Sequence, residues 1–245
     1  MTDTTLISII IPAYNEELRI PPYLRRLSSY CASAGAGLRF EIIVVDDGSS
    51  DNTAGVAAAC PGVRVIRLEK NTGKGYAVSR GLLEAAGEVR LFLDADGSVA
   101  PEEIGRNLHY IFEDGYHIFA GSRVLKGRGC RLKAKWYRRV MGWMFNLVLH
   151  AALPLKVRDT QCGFKMFRAA AVGPLFGNGC LCGYAFDIEI LLKAQYAGYR
   201  IKEGPVSWEH IGGSKVDLLV DSLLLLADIF RLRKKYARRQ LRAGA

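Results

Sequence analysis

Phe40-Glu41-Ile42-Ile43-Val44-Val45-Asp46-Asp47-Gly48-Ser49 is an apolar, β-branched run that stops in an acidic turn. Val, Ile and Phe suit a strand covered on both faces, whereas Asp and Gly end it with local backbone bonds and positive φ. The pattern recurs where Val89-Arg90-Leu91-Phe92-Leu93 runs into Asp94-Ala95-Asp96-Gly97. Further strand candidates lie at 6–12, 63–68 and 117–121, with longer amphipathic stretches between them. This alternation predicts an α/β fold with a Rossmann-like, mostly parallel sheet flanked by helices. Ser50 or Asp51 is expected to cap the second helix. Ser98, Pro101, Glu102 and Glu103 are expected to give another helix its cap, first-turn proline and first-turn carboxylates.

With 245 residues, half of them apolar, the chain can bury one large core. The six cysteines are scattered, and Met1-Thr2-Asp3-Thr4-Thr5 has neither a basic n-region nor an apolar h-region, so a cytosolic chain with reduced thiols is expected. Cys180 and Cys182 share a C-x-C spacing that no second pair or nearby histidine completes into a zinc set. The formal charge of +10 favours polyanionic partners. Much of it is local, since Arg231, Arg233, Lys234, Lys235, Arg238, Arg239 and Arg242 follow one another without an intervening acid. Nucleic acid is not the expected partner, because no RRM, KH or helix-turn-helix signature accompanies the charge and acidic turns would repel a phosphate backbone.

Ligands of open α/β sheets sit outside the carboxyl ends of the strands, where both acidic turns fall. Asp94 and Asp96, two residues apart just past a strand, can converge on one Mg²⁺ or Mn²⁺ that also takes diphosphate oxygens. A single Asp-rich turn is only a turn, but two at neighbouring strand ends point to a site. A third loop, Asn71-Thr72-Gly73-Lys74-Gly75, opens a helix with glycines that allow close backbone approach and a lysine able to meet a phosphate. It lacks the Walker spacing, so a plain helix-entry turn remains an equal reading.

With these loops in order, the chain resembles family 2 glycosyltransferases of the GT-A fold. The resemblance rests on Ile11-Pro12-Ala13-Tyr14-Asn15-Glu16, Val45-Asp46-Asp47-Gly48-Ser49-Ser50-Asp51-Asn52-Thr53, Asn71-Thr72-Gly73-Lys74-Gly75 and Asp94-Ala95-Asp96. Ala120-Gly121-Ser122-Arg123, Arg158-Asp159-Thr160-Gln161-Cys162-Gly163-Phe164-Lys165, Phe186-Asp187-Ile188-Glu189 and Gly213-Ser214-Lys215 are similar to the dolichyl-phosphate β-glucosyltransferase branch, without the amino-terminal anchor common in eukaryotic members. The resemblance implies inverting transfer of glucose from UDP-glucose to dolichyl or another polyprenyl phosphate, with a GDP-mannose donor or a different acceptor as the alternative. It further implies that Pro12, Tyr14, Glu16 and Asp47 line the base and ribose pocket, that Asp46 supports them, and that Asp94 and Asp96 frame the metal and diphosphate. Lys74 would hold the donor's phosphates or the helix entry. Arg123 would meet the acceptor phosphate, and Arg131, Arg138, Arg139 and Lys215 are further candidates for it. Asp187 would orient a sugar or cap a helix, and His210 is a candidate contact for the diphosphate or metal.

The stretch 136–155 is apolar and aromatic, but Arg138, Arg139, Asn146 and His150 interrupt it and Pro154 ends it. An amphipathic helix lying in a membrane interface is expected there, with a core helix as the alternative. The run 216–232 holds Asp217, Asp221 and Asp228, so it too reads as an interfacial helix, extended by the basic cluster towards anionic lipid. Packing into a homo-oligomer competes for the same apolar face. The expected organisation is one GT-A catalytic domain over 1–215, with a nucleotide-sugar half over 1–123 and an acceptor half over 124–215. A membrane-associating tail over 216–245 follows, and the chain is expected to bind the cytoplasmic face of a membrane peripherally.

Overall fold

A computed structural model of the chain describes residues 4–35, 37–127, 130, 132–133, 136–179, 183, 185–209, 211, 225 and 227–236. Four βα steps and a fifth strand come first: β1 (Thr5–Ala13), α1 (Ile20–Ser33), β2 (Leu38–Asp46), α2 (Thr53–Ala58), β3 (Val63–Arg67), α3 (Lys74–Glu84), β4 (Val89–Leu93), α4 (Glu102–Phe112) and β5 (Ile118–Ser122). The second half adds β6 (Leu132–Lys133), α5 (Trp136–Ala152), β7 (Phe164–Arg168), α6 (Ala169–Phe176), α7 (Phe186–Tyr196), β8 (Ile201–Pro205) and β9 (Trp208–Glu209). Residues 227–236 are helical.

The main sheet runs β3-β2-β1-β4-β7-β5-β8, and β6 pairs with β9 in a second, two-stranded sheet. Every pairing in the main sheet is parallel except those of β7, which lies antiparallel between β4 and β5. The mostly parallel sheet and the five strands of the first half thus lie where the apolar runs place them. The register sets Ala13 opposite Asp46 and Ile10 opposite Phe92, which brings the carboxyl ends of β1, β2 and β4 to one edge.

Both faces of the sheet are covered, which is why its strands read as near-continuous apolar runs. On β1, Ile7, Ile9 and Ile11 pack with α1 and α4, while Ile10 faces α3, α6 and α7. Helix α3 comes so close that a Cβ on Gly81 would lie 2.5 Å from Ile10 Cγ2 and 2.9 Å from Val45 Cγ2. A third cluster joins Leu149 of α5 and Leu153 just beyond it, Ile188, Leu191 and Leu192 of α7, and Ile229, Leu232 and Tyr236. None of the described helices is long and apolar enough to cross a membrane.

Two helix starts differ from expectation by a residue or more. Asn52 is the N-cap of α2, and Asp51 Oδ1 instead accepts the Thr53 N–H at 3.0 Å, while the Ser50 hydroxyl turns to Asn15 Oδ1. For α4 the N-cap is Pro101, with Glu102 and Glu103 in the first turn as expected. Ser98 does not cap it. The chain turns at Gly97 (φ 72°) and reaches the helix three residues beyond Ser98.

Strand β7 is held by aromatic packing: the fully buried Phe167 lies 6.4 Å from the Phe92 ring and 5.3 Å from Phe176, centre to centre. Phe167→Ala removes that filling and is expected to cost about 3–5 kcal/mol. Urea unfolding followed by circular dichroism checks it, as a lower midpoint with an unchanged slope.

Candidate active site

The carboxyl edge of β1, β2 and β4 borders a cavity of about 340 Å³, lined among others by Pro12, Tyr14, Glu16, Arg19, Asp47, Asn71, Gly73, Lys74, Asp94 and Asp96. Its wall is built by Asp47, nearly sealed from water. One Asp47 oxygen accepts the Thr72 N–H at 2.8 Å and the Thr72 hydroxyl at 2.7 Å, and the other accepts the Gly73 N–H at 2.8 Å. The carboxylate at the end of β2 therefore folds the 71–74 loop onto the sheet and points the start of α3 at the cavity. Gly73 makes the turn with φ 92°, a conformation that favours glycine. Asp46 lies fully buried below: its Oδ1 accepts the Ser49 N–H at 3.1 Å, and Arg67 stands 3.4 Å from Oδ2. Glu16 holds Arg19 through both carboxylate oxygens.

Lys74 Nζ sits 2.5 Å from Asp94 Oδ1. The other face of Asp94 presses on Gly163, where a Cβ would come 2.0 Å from Asp94 Oδ2. Burial pushes the Asp94 carboxyl up, but the charge and hydrogen bond of Lys74, with Lys165 and Arg123 beyond, outweigh it and leave the pKa below the ordinary value. Asp96 shifts the opposite way, raised by burial and then by the negative charge of Asp94, although its Oδ1 accepts the Ser98 N–H at 2.9 Å. One carboxylate is matched by a cation and its neighbour is not.

Two further ion pairs lie beyond the cavity lining. Arg123, just past β5, grips Asp159 in bidentate fashion, with Nε to Oδ2 at 2.8 Å and Nη2 to Oδ1 at 2.9 Å. The Arg123 backbone N–H adds a third bond to Oδ2 at 2.8 Å. Lys165 of β7 donates to Asp187 Oδ1 at 2.5 Å and to the Cys162 carbonyl at 2.8 Å. Asp187 is not a helix cap: Ala185 is the N-cap of α7, and Asp187 sits in its first turn.

The Glycosyl transferase family 2 profile matches residues 8–176, a span that holds the whole cavity edge of the sheet. This chain belongs to Glycosyl transferase family 2. It is 33% identical to a dolichyl-phosphate beta-glucosyltransferase of Dictyostelium discoideum, over 96% of this chain and 76% of that protein. It is likewise 33% identical to the Homo sapiens protein of that name, over 95% of this chain and 76% of that one. Among solved structures, glucosyl-3-phosphoglycerate synthase of Mycobacterium tuberculosis in complex with UDP superposes with a TM-score of 0.71 at 22% identity, covering 94% of this chain and 80% of that one. The same enzyme with Mn²⁺, UDP-glucose and phosphoglyceric acid gives 0.71 at 22% identity, covering 94% and 79%. The family 2 chain therefore has the GT-A fold expected of it.

Its structure brings Pro12, Tyr14, Glu16, Asp47, Lys74, Asp94 and Asp96 to one cavity and places Asp46 beneath it. Arg123 and Asp187 stand outside the lining, each already paired. Arg131, His210, Lys215, Cys180 and Cys182 lie outside the described residues. Arg138 and Arg139 belong to α5, but their side chains are likewise not described. Sequence reading missed Asp159 and Lys165. Their block was legible as a motif, yet the partners that give them a role lie 36 and 22 residues away.

Among the described residues no group of three His, Cys, Asp or Glu side chains gathers to hold a metal. Two cavity carboxylates still suit Mg²⁺ or Mn²⁺, which takes one or two protein carboxylates and completes its octahedron with phosphate and water oxygens. Asp96, raised by burial and then by the anion beside it, has the character such a cation relieves.

Burial pushes the Asp159 carboxyl up, but Arg123 outweighs it and holds the pKa below its ordinary value. The stability it adds is present above the unfolded carboxyl pKa of about 3.9 and is lost as pH falls through the lower folded value. The stability gap between wild type and Asp159→Asn should therefore shrink steadily once pH drops below about 4, as read by urea unfolding at stepped pH.

Proposed function

We propose that this family 2 glycosyltransferase moves glucose from UDP-glucose onto dolichyl phosphate or another polyprenyl phosphate, with inversion at the anomeric carbon. The observation that carries this is identity of 31–36% with proteins named dolichyl-phosphate beta-glucosyltransferase, over 86–96% of this chain. The donor is supported by the solved relative that holds UDP-glucose and Mn²⁺ in the same fold.

In this reading Pro12, Tyr14, Glu16 and Asp47 receive the base and ribose, and Asp46 stiffens the β2 end beneath them. Lys74 and the N-terminus of α3 take the diphosphate, using a side-chain ammonium and the positive end of the helix. Asp94 and Asp96 would hold Mg²⁺ or Mn²⁺, which when bound supplies charge compensation to the departing nucleoside diphosphate. Asp187, sealed behind Lys74, acts on this site through that lysine and not by touching a sugar. The acceptor phosphate enters towards Arg123, whose grip on Asp159 sets the plane of its guanidinium, and Arg131, Arg139 and Lys215 add charge to that approach. A phosphate monoester is already ionised near neutral pH, so attack on the anomeric carbon needs no strong general base.

The lipid acceptor calls for a membrane surface. Helix α5 leaves Met144, Leu147 and Val148 exposed at helical spacing, and Phe230, Arg231, Arg233 and Lys234 are exposed on 227–236. An apolar stripe beside basic residues suits peripheral attachment to anionic lipid, with the GT-A domain over 1–215 and the attaching segment over 216–245. We place the chain on the cytoplasmic face, where nucleotide sugars are available.

Transfer of labelled glucose from UDP-glucose to a short polyprenyl phosphate, with Mg²⁺ or Mn²⁺, tests the reading. A β-linked, metal-dependent product is expected, with turnover at least about 100-fold lower in Asp96→Ala. Activity with GDP-mannose alone would replace the donor and leave the site; no binding of any nucleotide sugar would end the transferase reading.

A further inference from the structure

A line of alternating charge runs inward from the cavity. Lys74 Nζ touches Asp94 and lies 5.9 Å from the centre of the Phe92 ring and 6.0 Å from that of Phe186, the residue before Asp187. Asp187 is close enough to act on the Lys74 charge. Lys165 Nζ closes the line, bonded to Asp187 and 5.3 Å from the same Phe92 ring. The order from water to core is Asp94, Lys74, Asp187, Lys165.

The last pair is sealed: the side chains of Lys165 and Asp187 are 1% and 4% exposed. Such a pair returns little net stability, because desolvation of both ions offsets their attraction. Packing does not ask for it either, since the neighbours of Lys165 on β7 are Phe164, Met166 and Phe167. Its effect on Lys74 is a stronger reason. Lys74 stands between two carboxylates, one facing the cavity and one sealed, and can serve a ligand only if the sealed one does not draw it inward. Lys165 supplies the charge that satisfies the sealed one.

Resting on the reading of the cavity as a nucleoside diphosphate site, we propose that Lys165 is a positioning residue: by neutralising Asp187 it keeps Lys74 at the cavity beside Asp94, where the ammonium can pass to a diphosphate. Lys165 touches no substrate and acts through Asp187 on Lys74.

Calorimetric titration of UDP without metal tests this on the full chain at a temperature where every variant is folded. Lys165→Met leaves Asp187 to capture Lys74, so UDP affinity should fall about tenfold or more, the value of a charge-assisted contact. Lys165→Gln, which keeps a donor for the Cys162 carbonyl, should fall by a similar factor and serves if the Met variant does not fold. Removing both charges in Lys165→Met with Asp187→Asn frees Lys74 and should restore affinity to within about twofold of wild type. In a Lys74→Met background, already weak, Lys165→Met should cost nothing further. The inference is overturned if wild type binds UDP and Lys165→Met or Lys165→Gln binds as tightly, if the double variant stays as weak as the single, or if the two lysine substitutions weaken binding independently. A wild type that binds no UDP would instead bring down the underlying reading of the cavity, and this inference with it.

Discussion

A carboxylate taken out of water must find a cation or a set of N–H donors, or the fold loses several kcal/mol. Among the described residues seven acidic side chains are buried: Glu16, Asp46, Asp47, Glu103, Asp159, Asp187 and Glu189. Each is answered by a partner: Glu103 by Arg106 of its own helix at 2.7 Å, and most of the others by groups on another element or loop. Asp47 fixes the 71–74 loop to β2, Asp159 fixes the 159–163 loop to the end of β5, Asp187 joins α7 to β7, and Glu189 joins α7 to Lys235 at 2.6 Å. The cavity is the place where this pairing stops. Lys74 and Asp94 remain open to a ligand there, and Asp96 is left with its charge largely uncompensated.

The parts of the fold that could be read from the chain are those whose physics is local. Strands β1 to β5 announce themselves because their runs are mostly apolar, and the acidic ends of β2 and β4 because Asp and Gly break a strand in a recognisable way. Strand β7 escaped, since Phe164-Lys165-Met166-Phe167-Arg168 places a lysine where a buried strand should be apolar. Only the distant Asp187 makes that lysine tolerable. The cavity followed the same division. Asp47, Lys74, Asp94 and Asp96 were visible from spacing within one turn, whereas Arg123 as the partner of Asp159 depends on loops that meet only in the folded chain.

The basic segment near the carboxyl end shows how charge alone misleads about contact. It reads as an interfacial helix extended by a basic cluster towards anionic lipid, yet Ile229, Leu232 and Tyr236 are buried against α5 and α7. Tyr236 stacks on Tyr196 at 5.1 Å, and Lys235 reaches back to Glu189, two residues along α7 from Asp187. Helix α7 thus carries an acid that faces the cleft's inner wall and another that holds the carboxyl-terminal helix. Two acids of a single helical turn are claimed by different jobs.

Strand β7 also bears on how the protein is made. It sits between β4 and β5, yet it is encoded some forty residues after the end of β5. While the chain is emerging from the ribosome, β4 has one paired neighbour, β1, and an exposed backbone edge until residues 164–168 arrive. Unpaired edges recruit other strands, and at translation speeds of about 5–20 residues per second that edge stays open for roughly 4–15 seconds. The late central strand therefore makes the half-built sheet a stage of synthesis at which the chain is open to aggregation.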